Sequence, residues 1–295
     1  MTDQSILPVP SDDEFRAEAA RFLPLCEEYC TCPSGWHFIW SAFKASGRRR
    51  SVYYQQPLLA RLLKPTLIKT RKVLIAGAAD SGILSVLASI FGPQVQYVVI
   101  DRCAAPLKEV QIYAADHGLS VRCQQVPLQD YLPQEIFDLI FLHNTLGFLA
   151  PELAARVLHR LGQGLNAHGY MACGMRYYSD TVHQNSTAIA ADCRSLFRTT
   201  FADHPNLMEI IDSHINSYAI SQSERSQNIY NPSLVQAMIT AAGYDTVDRY
   251  TDNLTPSVVQ SSLPSGARVD SEVMLLRPGV HLLKDADFLQ DSPNP

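Results

Sequence analysis

The spacing of apolar residues changes character near residue 72. Before it, Phe15, Ala19, Phe22 and Leu23 recur at helical intervals behind the cap signal Ser11-Asp12-Asp13, and Leu58, Leu59, Leu62 and Leu63 do likewise behind Pro57. Residues 12–32 and 51–68 are therefore predicted to be mainly helical. Pro24 is expected to kink or end the first helix, because proline lacks the backbone N–H that a helix interior uses. Between the two helical stretches lies an aromatic segment, Trp36, His37, Phe38, Ile39, Trp40 and Phe43.

From residue 72 onward the pattern alternates. Lys72–Ala76 is a short, continuous apolar run stopped by Gly77, as a parallel strand buried on both faces requires. A helix over 82–91 follows, then a strand over 96–100 ending at Asp101 and a helix over 104–117 closed by Gly118. Further strands are predicted at 120–126, 137–142 and 169–173, with a helix over 151–161. This alternation predicts an α/β fold, a doubly wound and mostly parallel sheet with right-handed crossovers. Residues 176–229 interrupt it with polar sequence and helical pieces near 184–201 and 205–215. A helix opening at Asn231-Pro232-Ser233 and ending at Ala242-Gly243, then strands over 245–250 and 269–276, complete a seven-stranded sheet. The expected organisation is an N-terminal helical cap (1–70), a sheet domain (71–278) carrying a helical lid insertion after strand five (176–229), and a peripheral tail (279–295).

Composition narrows the functional classes. With 24 Lys plus Arg against 29 Asp plus Glu, the formal charge is −5, and only 18% of residues are charged. Neither a disordered chain nor a protein that coats nucleic acid fits these values. Arg48-Arg49-Arg50 is too short a basic run to change that. The polar, acidic start is unlike a signal peptide, and no apolar run approaches the roughly 18–20 residues of a membrane span. A cytoplasmic protein is expected, with neither nucleic acid nor membrane as partner; the oligomeric state is not legible. The seven cysteines are scattered, and Cys26, Cys30 and Cys32, followed by His37, lack the spacing of a zinc knuckle and a complementing Cys or His pair. They read as small buried hydrophobes, with no metal expected.

In an open parallel sheet, ligands bind beyond the carboxyl ends of the strands. Gly77-Ala78-Ala79-Asp80-Ser81-Gly82 stands there after the first strand, a G-x-A-x-x-G loop in which Gly77 permits a tight turn, Ala79 a close ligand approach and Gly82 close helix packing. Asp101, 19 positions beyond Gly82 at the end of the second strand, suits both hydroxyls of a ribose. The loop Gln129-Asp130-Tyr131 is placed to meet an adenine amino group, and His143-Asn144 close the fourth strand.

This order resembles the class I, Rossmann-like S-adenosylmethionine (SAM)-dependent methyltransferases over about residues 70–278, including an antiparallel last strand beside the late one. The resemblance implies that SAM is the cofactor. Gly77, Ala79 and Gly82 then match the glycine-rich loop, Asp101 with the adjoining Arg102 the ribose side, Asp130 with Tyr131 the adenine side, and His143 with Asn144 the methionine side. The chain departs from the family at Ile75, where an acid two positions before the first glycine is usual, and at Ala79, where the second glycine would stand. Asp80 is the candidate to replace the missing acid at the cofactor's amino group. An NAD-linked dehydrogenase would use Asp101 equally well, but the late helix and strand pair argue against it.

The expected reaction is methyl transfer to a small molecule, a carboxylate or amino-acid-like biosynthetic intermediate. Trp36, Tyr53 and Arg176 are the candidate substrate walls, with Arg176 suited to a carboxylate. Tyr177 or Tyr178 could face the sulfonium, a cation–π contact of roughly 0.5–2 kcal/mol. His183 is the first candidate base and His143 the second. Two alternatives stay open: a SAM-consuming cyclase on the same fold that forms azetidine-2-carboxylate and methylthioadenosine, and a non-catalytic SAM-binding regulatory subunit.

Overall fold

Lys72–Ala76 (β1), Gln96–Asp101 (β2) and Phe137–His143 (β4) are almost continuously buried, and together they form the middle of the sheet. In the computed structural model, which describes residues 11–47, 51–178, 185–225, 231–252 and 269–279, these strands belong to one seven-stranded sheet. With β3 at Ser120–Gln125, β5 at Leu165–Tyr178, β6 at Tyr244–Asp252 and β7 at Val269–Pro278, its order is β3-β2-β1-β4-β5-β7-β6. Strands β1 to β5 pair in parallel, and β7 runs antiparallel between β5 and β6. Strand order reverses at β1, so the crevice between the ends of β1 and β4 is where a ligand would enter.

Side chains alternate across the pleat. Leu74, Ala76, Val98 and Ile100 face one core, with Leu158 and Ile239, whereas Val73, Ile75, Tyr97 and Val99 face the other, with Leu62 and Leu87. Ile75 is thus a packing residue. Helices Gly82–Phe91 (α5) and Ala104–Asp116 (α6) follow β1 and β2, while Pro151–Gly162 (α7) and Pro232–Ala241 (α10) cover the opposite face. Their ends follow local chemistry. Pro151 opens α7 with Glu152 in its first turn and His159 and Arg160 in its last, and the Asn231 side chain caps α10 by accepting from the Leu234 amide.

The N-terminal stretch is helical as expected but divided differently. Helix α1, Asp12–Tyr29, starts with a reciprocal Ser11–Glu14 capping box and runs through Pro24 without ending there. Ala20 and Pro24 are both exposed, so the carbonyl that proline leaves without a donor can take water. The aromatic segment forms α2, Trp36–Ala45. The stretch expected to be mainly helical consists of α3, Ser51–Tyr54, α4, Gln56–Leu62, and a 3-10 turn at Lys64–Thr66, with Pro57 and Pro65 each withdrawing a donor at a break. After β5 come α8, Ser186–Thr200, and α9, Pro205–Arg225. Strand β5 is longer than predicted because β7 pairs with it as far as Tyr178. Helices α1, α2, α8 and α9 share a third core, with Phe38, Phe43, Phe197 and Tyr218 among its members. That core also takes in Cys103 and Ala105 from the start of α6, which joins the N-terminal helices to the carboxyl edge of the sheet.

Candidate active site

A cavity of about 370 Å3 opens at the carboxyl ends of β1, β2, β4 and β5. Gly77, the first residue after β1, has φ +90° and donates its N–H to the Ile100 carbonyl at 2.8 Å. A Cβ there would meet the Thr145 side chain at 2.6 Å, so both conformation and space require glycine. Asp101 is fixed by two backbone amides, Ala78 N–H to Oδ2 at 3.0 Å and Cys103 N–H to Oδ1 at 2.8 Å. Each oxygen keeps a further lone pair. Burial raises the carboxyl above its ordinary value, opposed by its hydrogen-bond donors.

Gly77, Ala79, Asp80, Asp101, Arg102, His143, Asn144 and Arg176 all line this cavity, as do Trp36 and Tyr53. The loop before β4 meets it differently from the sequence expectation. Leu128 and Gln129 face the cavity, Asp130 is exposed, and Tyr131 is buried in the core beneath the sheet. A turn displaces successive side chains to different sides, so a motif's position along the chain does not fix which member faces a ligand. Gly82 lies just outside the lining, and its N–H donates to Asp80 Oδ1 at 2.7 Å. For Tyr177 and Tyr178 the structure describes the strand backbone, paired with β7, and His183 lies outside the described residues.

Asp80 is engaged from the side of the N-terminal helices. Its Oδ2 accepts from Trp40 Nε1 at 2.7 Å and lies 3.4 Å from Lys44 Nζ. Lys44 is buried and also reaches Glu109 at 3.2 Å and Glu18 at 3.5 Å. Burial by itself would raise the Asp80 carboxyl, yet Lys44, the Trp40 indole and the Gly82 amide hold it below its ordinary value. At Glu109 the balance is opposite: burial pushes the carboxyl up to about 7 despite Lys44, helped by the negative charges of Asp80 and Glu18. Burial opposes the Lys44 charge, but the surrounding carboxylates overcome it and hold the ammonium protonated. One buried cation thus ties α1, α2, the glycine loop and α6 together.

His143, at the end of β4, places Nε2 2.6 Å from Gln55 Oε1, an acceptor, so this nitrogen carries the hydrogen. Gln55 in turn donates to Ser271 Oγ at 2.7 Å. Burial, reinforced by Arg176, lowers the imidazole to about 3, so His143 is neutral at physiological pH. Asn144 next to it takes the left-handed conformation, φ 57°, and its N–H donates to the Gly174 carbonyl at 2.8 Å.

Aromatic rings form the wall opposite the sheet. Trp36 stacks on Trp40 with centroids 5.9 Å apart, meets Phe148 edge-on at 5.2 Å and stacks on Tyr218 at 5.6 Å. Trp40 and Phe148 also line the cavity. Trp36 and Trp40 belong to the aromatic segment expected to wall the substrate, whereas Phe148 and the Lys44 hub have no signal of their own in the sequence. Trp36, Trp40 and Lys44 fall at four-residue spacing, a single helix face once the segment is known to be helical. The cysteines are largely buried, as expected, but four donors gather in a way their sequence spacing does not show. Cys30, Cys32, His37 and Cys103 converge, with one ligand atom from each lying within 4.8 Å of the others. The complement missing from the local sequence is supplied by Cys103, brought over from the β2–α6 junction.

The sheet order with its inserted antiparallel β7 is that of the class I methyltransferases, and the chain has their fold. No family model matches it. It is similar to a chemotaxis protein methyltransferase of Vibrio parahaemolyticus, 24% identical over 147 residues, and the match takes in 46% of this chain and 52% of that protein. The chain thus spans about half the length of that relative. Among solved structures it is similar to N-methyltransferase NodS from Bradyrhizobium japonicum WM9 in complex with S-adenosyl-L-homocysteine, 14% identical, covering 90% of this chain and 98% of that one, with a TM-score of 0.49. It is similar too to an O-methyltransferase family protein from Burkholderia thailandensis, 14% identical, covering 82% and 62%, with a TM-score of 0.48.

Proposed function

We propose that the chain is a SAM-dependent methyltransferase acting on a small molecule with a carboxylate or amino-acid-like group. The observation that carries this reading is Asp101, held by two backbone amides beside a glycine turn at the mouth of an aromatic-walled cavity. The residues suit the cofactor: Asp101 has lone pairs for two ribose hydroxyls, Gly77 lets backbone approach closely, and Leu128 with Gln129 flank the adenine side. When bound, SAM supplies a methyl group made electrophilic by its sulfonium, so the protein's task is to position the acceptor and keep water out. Trp36, Trp40 and Tyr53 offer ring faces that favour a cation, and Arg176 offers a guanidinium to a carboxylate.

The histidines of the cavity bear on the acceptor. His37 lies against cysteine sulfurs, and His143, lowered to about 3 by burial and Arg176 with its Nδ1 3.4 Å from the Asn144 side-chain amide, is a weak base, so neither is poised to remove a proton. An acceptor already nucleophilic near neutral pH, such as a carboxylate or thiolate, fits this best. The test is to incubate the protein with SAM, with and without carboxylate acceptors or a cell extract, and to identify the nucleosides formed. S-adenosylhomocysteine appearing in proportion to acceptor is the expected result. Methylthioadenosine without any acceptor would overturn methyl transfer in favour of cyclisation, and binding with no product at all would leave a regulatory subunit. Tight NADH binding in place of SAM would overturn the cofactor.

A further inference from the structure

We propose that Cys30, Cys32, His37 and Cys103 form a closed structural zinc site that clamps the N-terminal helices to the β2–α6 junction. Three of the four donors come from one reversal of the chain. Cys30 caps the end of α1, Gly35 turns the chain with φ +58°, and His37 enters at the second residue of α2. The fourth, Cys103, is the N-cap of α6, where the positive end of the helix favours a thiolate. His37 Nδ1 lies 3.3 Å from Cys32 Sγ and 3.8 Å from Cys30 Sγ, and all four donor atoms lie within 4.8 Å of one another. A tetrahedral zinc ion with bonds of about 2.3 Å to sulfur and about 2.0–2.1 Å to nitrogen needs donors about 3.5–3.8 Å apart. The cluster needs little movement to meet that.

The donor set selects the ion. Three sulfurs and one imidazole suit zinc, and four protein donors leave no position open for substrate, as in a structural rather than a catalytic site. A single disulfide would use two of the sulfurs and leave a thiol and an imidazole buried together. Cys32, His37 and Cys103 are buried, and Cys30 is half-buried, so the donors are screened from solvent but reachable from one side. Cys26 is not a member: its Sγ lies 3.5 Å from Ser41 Oγ. Zinc binding displaces the thiol protons and converts them into solvent acid, so affinity rises with pH. The site also touches the cavity. The Cys103 amide that would be fixed by the metal is the one that donates to Asp101 Oδ1, so loss of the ion should loosen the ribose side. This last consequence rests on the SAM reading; the metal site does not.

The full chain, purified without chelator, is expected to carry about one zinc per chain by elemental analysis. Replacement by cobalt(II) is expected to give thiolate-to-cobalt charge transfer and the intense visible bands of a tetrahedral site. Cys103→Ser should lower zinc affinity by at least about tenfold, whereas His37→Cys, which keeps four ligands, and Cys26→Ser should retain the ion. Circular dichroism separates lost binding from a chain that fails to fold, and wild-type metal content decides the matter in either case. A folded wild-type protein that neither contains zinc nor takes it up from a micromolar solution would overturn the proposal. So would equal amounts of iron and sulfide, a stoichiometric copper(I) content, or zinc loss in Cys26→Ser as large as in Cys103→Ser. Zinc bound by a protein indifferent to SAM would overturn the proposed function and support the metal site; SAM bound with full affinity by a wild-type chain that neither contains nor takes up zinc would do the reverse.

Discussion

The two walls of the cavity are built by opposite means. On the sheet side, Gly77, Asp101, His143 and Arg176 stand at the ends of buried strands or directly after them, and backbone geometry positions them. On the helical side, every residue from His37 to Ala45 is buried, and its polar members are held by side chains from distant segments. Lys44 meets carboxylates of α1, the glycine loop and α6, and Trp40 meets Asp80. The sheet wall is therefore set chiefly by strand and turn geometry, whereas the helical wall depends on a charge network whose members fail together.

The largest expected effect probes that dependence. Lys44→Met removes the cation and leaves three carboxylates close together, so stability should fall by about 3–5 kcal/mol, measured by urea unfolding. A loss below about 1 kcal/mol would show that packing, and not charge, holds the helical wall. On the sheet side, Asp101→Ala should weaken SAM binding by about 10- to 100-fold, the equivalent of about 1.5–3 kcal/mol for hydrogen bonds to a charged group. Titration calorimetry checks this, and an unchanged affinity would remove Asp101 from the ribose site.

The walls also differ in the sign of their pH dependence. Glu109 has a raised folded pKa of about 7, so its contribution to stability is full below the ordinary carboxylate range, near 4.5, and is lost as pH rises through 7. His143 has a folded pKa lowered to about 3, so its contribution is full above about 6.5 and is lost as pH falls toward 3. Glu109→Gln should therefore make stability rise more steeply between pH 4.5 and 7, and His143→Gln should flatten the acid-side loss. Unfolding curves across this range in both variants would show whether the slopes change in opposite directions. The smallest expected effect is at Asp130: because Leu128 and Gln129 face the cavity instead, Asp130→Ala should leave SAM affinity within about twofold, and a larger loss would show that the loop closes over the ligand when it binds.

How much could be read beforehand follows the same division. The seven strand runs from 72–76 to 269–276 are local signals from which the seven-stranded sheet follows, and so are the glycine turn and Asp101 that terminate the first two. The mainly helical character of 51–68 holds, broken into short pieces where two prolines interrupt the leucine spacing, and Pro24 does not end α1 because its neighbourhood is solvent-exposed. Asp130 and Tyr131 are neighbours in the chain, but the turn sends one to solvent and the other into the core. Asp80 is tied to Trp40 and Lys44 as well as lining the cavity, an engagement that no spacing within the loop reveals.

By itself, the sequence determined the alternation of strands and helices, the place of the glycine turn after β1 and the acid that ends β2, since each depends on backbone preferences and burial within a few residues. The tertiary structure alone decided that Lys44 is a buried hub, that His143 donates to Gln55, and that Cys103 joins Cys30, Cys32 and His37. Those contacts join residues up to 88 positions apart, and such proximity is created only when the N-terminal helices and the sheet bury their apolar faces against one another.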